Sequence, residues 1–149
     1  MSDGSIDFAL WSRPRPGKRY FTPLEANDLL PEVRVRMERL RDVTRDSREI
    51  LDALRSNAVE GDRRSAARRV DGLRSEAREL LDSLHDDGVQ VKGIDKLLVD
   101  FPALFRGREV CLCWREGDEL VAWWHPAHEG ASKRQPIDAR EEGAWAWWS

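Results

Sequence analysis

The stretch of residues 109–128 most constrains the fold of this chain. It holds both cysteines, two of the three histidines and three of the seven tryptophans. Its two apolar runs, residues 110–114 and 120–124, are separated by a Gly-Asp pair, an arrangement typical of a β-hairpin. Because neither run alternates apolar with polar residues, we predict that both strands are covered on both faces.

The register of this hairpin decides which side chains meet, because a slip of one residue moves a whole set of side chains to the other face. A loop of even length separates His125 from Cys111 and Cys113, whereas a loop of odd length places all three on one face. We predict the even loop. The cysteines then share their face with Leu120, Ala122 and Trp124, and His125 shares its face with Val110, Leu112, Trp114, Val121 and Trp123.

Length and composition indicate a single domain in the cytoplasm. A chain of 149 residues buries roughly two thirds of its unfolded surface. Cys111 and Cys113 are spaced C-x-C on one strand, which suits a disulfide badly, so we interpret them as reduced thiols. No apolar run approaches a membrane span, and the net charge of -3 gives no global attraction to nucleic acid.

Both ends of the chain lack periodicity and are predicted to lie outside a single domain of residues 20–137. Residues 1–19 predict a flexible extension, whose apolar residues either stay loose or dock on the body or on a partner. These residues are Phe8, Leu10 and Trp11. Residues 138–149 form a Trp-rich tail, which we predict to pack on its own domain or on a partner. Its tryptophans are Trp145, Trp147 and Trp148.

A capping box predicts where order begins. Thr22, followed by Pro23 and by Glu25 three residues after the cap, is the pattern of a helix N-terminus. Pro31 lacks a backbone N–H and clashes with the preceding turn, so we predict that a first helix over residues 22–30 kinks or ends near Leu30.

Two later segments carry long apolar stripes at helical spacing. In residues 31–56 and 62–87 the apolar positions recur alternately three and four residues apart. Because the segments match in length and the connection is short, they predict a coiled-coil-like antiparallel helical hairpin. Val43 and Ile50 lie beside the main stripe and are predicted to meet either the sheet or a second copy of the protein.

Past Gly88 the pattern changes from helical to extended. It predicts strands at about 89–92, 97–101, 109–114 and 119–125, with Pro102 closing the second strand and a turn at residues 106–108. The fold class is therefore α+β. We predict a kinked N-terminal helix and a long antiparallel helical hairpin packed on a small antiparallel β-sheet of three to four strands.

Several sequence blocks resemble the bacterial domain of unknown function 2203 family. They span residues 20 to about 137 and include Tyr-Phe-Thr at 20–22, Leu-Val-Asp-Phe-Pro-Ala-Leu at 98–104, Leu-Cys-Trp-Arg at 112–115 and Arg-Gln-Pro at 134–136. The chain departs from the family pattern at residues 130–133, where Gly-Ala-Ser-Lys replaces an expected Gly-Phe pair and later Gly. The resemblance implies no activity, cofactor or partner.

Cys111, Cys113, His125 and His128 are candidate ligands for a tetrahedral ion such as zinc. Their C-x-C and H-x-x-H spacings are not those of the usual zinc fingers, and the even loop separates His125 from both thiols. We therefore prefer the interpretation that the cysteines are small core residues and the histidines are unconnected.

A haem or small aromatic ligand is a related hypothesis. In it, His125 is the polar anchor of an apolar pocket that includes Trp114 and Trp123. We prefer the alternative, in which the tryptophans pack in the core beside a hydrogen-bonded histidine.

The sequence assigns no catalytic residue. Cys113 with His125 is the thiol candidate, but neither an orienting group nor an oxyanion site is recognisable, so enzymatic activity stays uncertain. We interpret the carboxylates of Asp100, Glu109 and Glu119 as partners in surface ion pairs with nearby arginines.

One basic cluster lies at the start of the second hairpin helix. Positive charge is unfavourable at this end of the helix dipole, which suggests a use in binding phosphate or an acidic partner. Acidic residues lie nearby and no stacking aromatics are interleaved, so binding to nucleic acid is not favoured. The cluster comprises Arg63, Arg64, Arg68 and Arg69.

The leading functional prediction is a non-enzymatic cytoplasmic protein that acts in protein interaction or assembly, either with a protein partner or as a homodimer formed through the helical hairpin. Replacing Val43 and Ile50 with Asp is expected to leave the fold helical and to abolish the dimer. The alternative is a metal-, haem- or small-ligand-binding protein centred on His125.

Overall fold

The computed structural model describes residues 14–58 and 61–145, and the predictions made for Phe8, Leu10, Trp11, Trp147 and Trp148 lie outside these ranges. Two α-helices come first, α1 (Pro23–Arg55) and α2 (Arg63–Asp86). Five strands follow: β1 (Gln90–Gly93), β2 (Leu98–Phe105), β3 (Arg108–Arg115), β4 (Trp123–Pro126) and β5 (Gln135–Pro136). Short 3-10 helices occupy Ala131–Lys133 and Ala139–Trp145. The α+β class is as predicted.

Helix α1 begins at the predicted capping box and runs past Pro31. Oγ1 of Thr22 accepts a hydrogen bond from the backbone N–H of Glu25 at 3.2 Å, and Oε1 of Glu25 accepts one from the N–H of Thr22 at 2.9 Å. The predicted helix end near Leu30 is wrong, because one helix of 33 residues spans this point. A proline inside a helix costs about 3 kcal/mol. Pro31 itself is exposed, and burial of Leu30 and Val33 beside it in the chain offsets that cost.

The two helices pair in opposite directions. Arg39 of α1 forms an ion pair with Glu76 of α2 at 2.5 Å, and Arg36 donates to Oγ of Ser83 at 2.7 Å. Arg36 precedes Arg39 in α1, whereas its partner Ser83 follows Glu76 in α2. The two helices are therefore antiparallel. Val43 was predicted to contact either the sheet or a second copy of the protein. Its side chain is fully buried within the chain, at 0% exposure. It is therefore not available for contact with a second copy.

The sheet is antiparallel throughout, with the order β1-β2-β3-β4-β5. It has five strands rather than the predicted three to four. The additional strand, β5, consists of two residues that pair with Trp123 and Trp124 of β4. A strand of two residues carries no alternating pattern, which is why the sequence does not reveal it.

Strand β2 continues through Pro102, which was predicted to close it. Its pairing with β1 involves only residues 98–100, so the same edge is open at Pro102. The carbonyl of Pro102 accepts a hydrogen bond from the backbone N–H of Phe21 at 2.7 Å along that edge. The backbone nitrogen of Pro102, which has no hydrogen to donate, points to this same edge. No strand pairs with Pro102 there, so the hydrogen bonds between β2 and β3 are preserved.

A tight turn joins β2 to β3 as predicted. Arg106 and Gly107 both adopt left-handed backbone conformations, with φ of 53° and 78°. Two such residues in succession form the type I′ turn, whose twist matches that of the flanking strands. The turn fixes the register in which Asp100 lies opposite Cys113.

The two faces of the sheet have different surroundings. One face packs on α1 and forms the apolar core, with members that include Val99, Phe101, Ala103, Val110, Leu112 and Trp114. The opposite face carries Asp100, Cys111, Cys113 and His125, all of them buried. Neither α1 nor α2 is both long and apolar enough to cross a membrane.

Both ends of the described chain contact the domain. Arg15 and Lys18, which fall in the predicted flexible extension, form ion pairs with Glu109 of β3. At the other end, Trp145 is 4% exposed, and its ring lies 4.8 Å from that of Phe105. This part of the tail packs on its own domain, and residues 139–145 are 3-10 helical except at Glu141.

A buried Asp, Cys and His group on the sheet

The observed register of β3 and β4 corrects the predicted one. Cys111 lies directly opposite His125, and Cys113 lies directly opposite Trp123. Side chains of directly opposed residues occupy the same face, so His125 and Trp123 share the face of both cysteines. The connection between β3 and β4 spans residues 116–122 and so has an odd number of residues, whereas an even number was predicted. Strand β4 begins at Trp123 instead of near residue 119.

A contact with α1 explains the late start of β4. Oδ1 of Asn27 accepts a hydrogen bond from the N–H of Val121 at 2.8 Å, and Nδ2 of Asn27 donates to the carbonyl of Val121 at 3.1 Å. Both backbone groups that a strand would use at this position are thereby engaged. Residues 120–122, which were predicted to be strand, therefore remain in the connection.

His125 and Asp100 meet across the central strand. They belong to β4 and β2, the two neighbours of β3, and Nε2 of His125 lies 3.2 Å from Oδ1 of Asp100. Their side chains are only 3% and 4% exposed. The other ring nitrogen, Nδ1, lies 2.9 Å from the carbonyl oxygen of Pro126.

The contact with Pro126 fixes the proton on Nδ1. A carbonyl oxygen only accepts, so Nδ1 of His125 must donate. The nitrogen that faces Asp100 then either carries a second proton or points a lone pair at the carboxylate. Burial lowers the pKa of His125, but the hydrogen bonds to Asp100 and Pro126 outweigh it and leave the pKa above its ordinary value. The same hydrogen bonds favour the protonated ring, in which Nε2 donates to the carboxylate of Asp100.

Cys113 completes a compact group of potential metal ligands. One donor atom from each of Asp100, Cys113 and His125 lies within 4.8 Å of the other two. Burial raises the pKa of the Cys113 thiol to about 11, and burial also raises that of Cys111 to about 12. Both thiols are therefore protonated at neutral pH. This state argues against Cys113 as a nucleophile activated by His125.

One end of this face is closed by a buried carboxylate. Glu109 is 4% exposed and accepts hydrogen bonds from Arg15 at 2.8 and 3.2 Å, from Tyr20 at 3.0 Å and from Lys18. Burial raises the pKa of Glu109, but the hydrogen bonds from Arg15 and Lys18 outweigh it and hold the pKa below its ordinary value. The prediction of a surface ion pair at Glu109 is wrong, because its partners come from residues 15–20.

The other end is bounded by Arg134. Its guanidinium forms a two-pronged ion pair with Asp118 at 2.7 and 3.2 Å and lies 4.5 Å from the centre of the Trp123 ring. Arg134 and Asp118 are 16 residues apart in the chain, and no local sequence pattern predicts their ion pair. The same is true of Asp100, whose role depends on the register.

The remaining predicted site residues lie apart from this group. His128 is exposed and outside the three-residue group, and Trp114 lies on the helix-facing side, where its indole N–H donates to the carbonyl of Asp118 at 2.8 Å. The structure therefore does not bring Trp114 together with His125 in one pocket. Trp123 is the one of the two predicted tryptophans that shares the histidine face.

The predicted arginine cluster is spread along the start of α2. Arg63 donates to the carbonyl of Leu54 at 3.0 Å and to Oδ1 of Asn57 at 3.1 Å, so it closes the C-terminal end of α1. Arg68 donates to Oγ of Ser65 at 3.1 Å. Arg64 and Arg69 are exposed. Because Arg63 binds the end of α1, its position at the N-terminus of α2 is explained without an external anion.

These features define an α+β protein whose sheet carries helices on one face and a buried Asp, Cys and His group on the other. The chain belongs to the family described as uncharacterized conserved protein (DUF2203), whose model matches residues 19–137. This range includes all three residues of the buried group. The chain matches no curated protein and no solved structure.

Proposed function

We propose that this protein binds a transition metal ion through Asp100, Cys113 and His125, with zinc as the first candidate. The orientation of His125 carries the proposal. Its Nδ1 donates to a backbone carbonyl, so Nε2 is held toward Asp100. Metal-binding histidines generally show this arrangement, in which one ring nitrogen is fixed by a hydrogen bond and the other faces the ion.

The donor atoms also suit a transition metal. Thiolate, imidazole and carboxylate together favour zinc and its neighbours, whereas magnesium and calcium prefer oxygen donors alone. Zinc bonds of about 2.0 to 2.3 Å place tetrahedral ligands roughly 3.5 Å apart. A group whose donors lie within 4.8 Å of one another reaches that spacing by small side-chain movements.

Metal binding would resolve the charges of the site. The ion would take the place of a proton on Nε2 of His125 and of the thiol proton of Cys113, so metal binding would release protons. The bound ion then neutralises one carboxylate and one thiolate. A buried carboxylate or thiolate that is paired with a cation is less costly than one that is left unpaired.

The haem alternative has less support. Both ring nitrogens of His125 already have partners, and Trp114 lies on the other face of the sheet. An axial role for His125 would require loss of the Asp100 contact. The metal proposal instead uses that contact.

The test is metal uptake by the full-length chain, purified without tags or chelators and compared with His125→Ala and Cys113→Ser variants. We expect stoichiometric zinc, measured by native mass spectrometry and elemental analysis, in the wild-type protein and a clearly lower zinc content in both variants. His128→Ala is the matched control, because His128 is exposed and outside the group. It should retain the metal. Folded wild-type protein that takes up no zinc when zinc is added would overturn the proposal.

Self-association through the helical hairpin is a second candidate. A cavity of about 570 Å³ lies between the helices near their connection, lined by Ile50, Ala53 and Ala66 together with charged residues that include Asp46, Glu49 and Arg69. Ile50 is half-buried there, unlike the fully buried Val43. Ile50→Asp should therefore halve the mass measured by light scattering if a dimer forms through this groove. An unchanged mass counts against this candidate.

A further inference from the structure

Cys111 occupies the position that mirrors Cys113 about the His125–Asp100 contact. On β3, Cys111 lies directly opposite His125 of β4, and Cys113 lies directly opposite Asp100 of β2. The contact between His125 and Asp100 therefore crosses β3 diagonally, between the two thiols. Directly opposed side chains have Cβ atoms about 4.5 to 5.5 Å apart. The two cysteines thus flank the contact between His125 and Asp100.

The burial of the group favours a fourth ligand from the protein. Tetrahedral zinc with three protein ligands keeps an open position for water, whereas closed sites have four protein ligands. Asp100, Cys113 and His125 are 3%, 0% and 2% exposed. This burial is typical of a closed site and unlike the accessible position that a catalytic water needs.

Two carboxylates near this face are already engaged. Glu109 is held by Arg15, Lys18 and Tyr20, and Asp118 is held by Arg134. Cys111 is 6% exposed, and burial keeps its sulfur among the side chains of this face. It is therefore the best-placed further soft donor.

We infer that Cys111 is the fourth ligand and that the site is an Asp, His and two-Cys centre. This inference rests on the proposed metal-binding function. The three-residue group does not include the sulfur of Cys111, so that sulfur must move toward the ion. Rotation about χ1 carries a cysteine sulfur between three staggered positions without backbone movement. A second thiolate shifts selectivity toward zinc and other soft ions and away from manganese or magnesium.

The test is titration of the metal-free full-length protein with Co²⁺, whose sulfur-to-cobalt charge-transfer absorption grows with the number of bound thiolates. We expect the wild-type protein to show the absorption of two thiolates. Cys111→Ser and Cys113→Ser should each show that of one, and the double variant should show none. His128→Ala should match the wild type. Circular dichroism establishes that each variant is folded.

A second measurement needs no variant. X-ray absorption of the zinc-loaded wild-type protein counts the sulfur atoms bound to the ion, and we expect two. One sulfur, together with an unchanged cobalt spectrum in Cys111→Ser, would overturn the role of Cys111 and leave the three-ligand proposal standing. Failure of the wild-type protein to bind either Co²⁺ or Zn²⁺ would overturn both.

Discussion

The two faces of the sheet are built from alternate residues of the same strands, yet they bury different chemistry. On β3, Leu112 faces α1 and is fully buried among apolar side chains, while its neighbours Cys111 and Cys113 face Asp100 and His125. The helix-facing side gains its stability from the hydrophobic effect. The other side carries ionisable groups, and its buried carboxylates are tolerated because Asp100 is paired with His125 and Glu109 with Arg15 and Lys18. Stability and the candidate site are thus assigned to opposite faces of one sheet.

The largest expected effect is on the helix-facing side. Leu112→Ala removes a side chain that is 0% exposed and should lower the free energy of unfolding by about 3 to 4 kcal/mol, because it leaves a cavity in a packed core. Urea denaturation measures this loss. Leu120→Ala is the control, since Leu120 is 58% exposed and its replacement should change stability by less than about 0.5 kcal/mol. Equal effects at the two positions would contradict the assignment of the core to this face.

The helix-facing side was also the more predictable one. The apolar stripes of α1 and α2, the capping box at Thr22 and the turn at Arg106-Gly107 are local patterns, and each is present in the structure. Local patterns are readable because the residues that create them are close in sequence. These local patterns were sufficient to predict the fold class and most of the core residues.

The other face was not predictable because its register depends on a distant contact. Asn27 and Val121 are 94 residues apart in the chain, and their hydrogen bonds hold residues 120–122 out of β4. Without that contact the even loop is as plausible from sequence as the odd one, and it separates His125 from the cysteines. Asp100 was interpreted as a surface carboxylate for the same reason. Its burial depends on pairing with strands further along the chain.

The next effect tests whether the polar face depends on partnered charges. In the metal-free protein, His125→Leu leaves Asp100 buried without its partner and should cost about 3 kcal/mol. Replacing both Asp100 and His125 with Leu removes the unpaired charge and should recover most of that loss. Chemical denaturation of His125→Leu, Asp100→Leu and the double variant, all in the presence of a chelator, measures the coupling. Additive losses would show that the two groups do not act as a pair.

A smaller effect concerns Glu109 at the end of the same face. Glu109→Gln weakens its hydrogen bonds with Arg15 and Lys18 and should cost about 2 kcal/mol at neutral pH. Because the folded-state pKa of Glu109 is below its ordinary value, its contribution is present above the unfolded-state pKa and is lost as pH falls through the folded-state value. The stabilities of wild type and variant, measured by denaturation across acidic pH, should therefore converge. Glu142→Gln, at an exposed position, is the control. A difference that is constant with pH would contradict this role.

The smallest effect on the metal-free protein is expected for Cys111→Ala, and it separates packing from ligation. Loss of one buried heavy atom should cost about 1 kcal/mol without metal. With zinc present, the wild-type protein gains stability in proportion to the logarithm of its affinity, and a variant that lacks one ligand gains less. The difference between the two proteins should therefore widen when zinc is added, as measured by thermal unfolding with and without the ion. A difference that stays the same in both conditions would assign Cys111 to packing alone and return it to the role that the sequence first indicated.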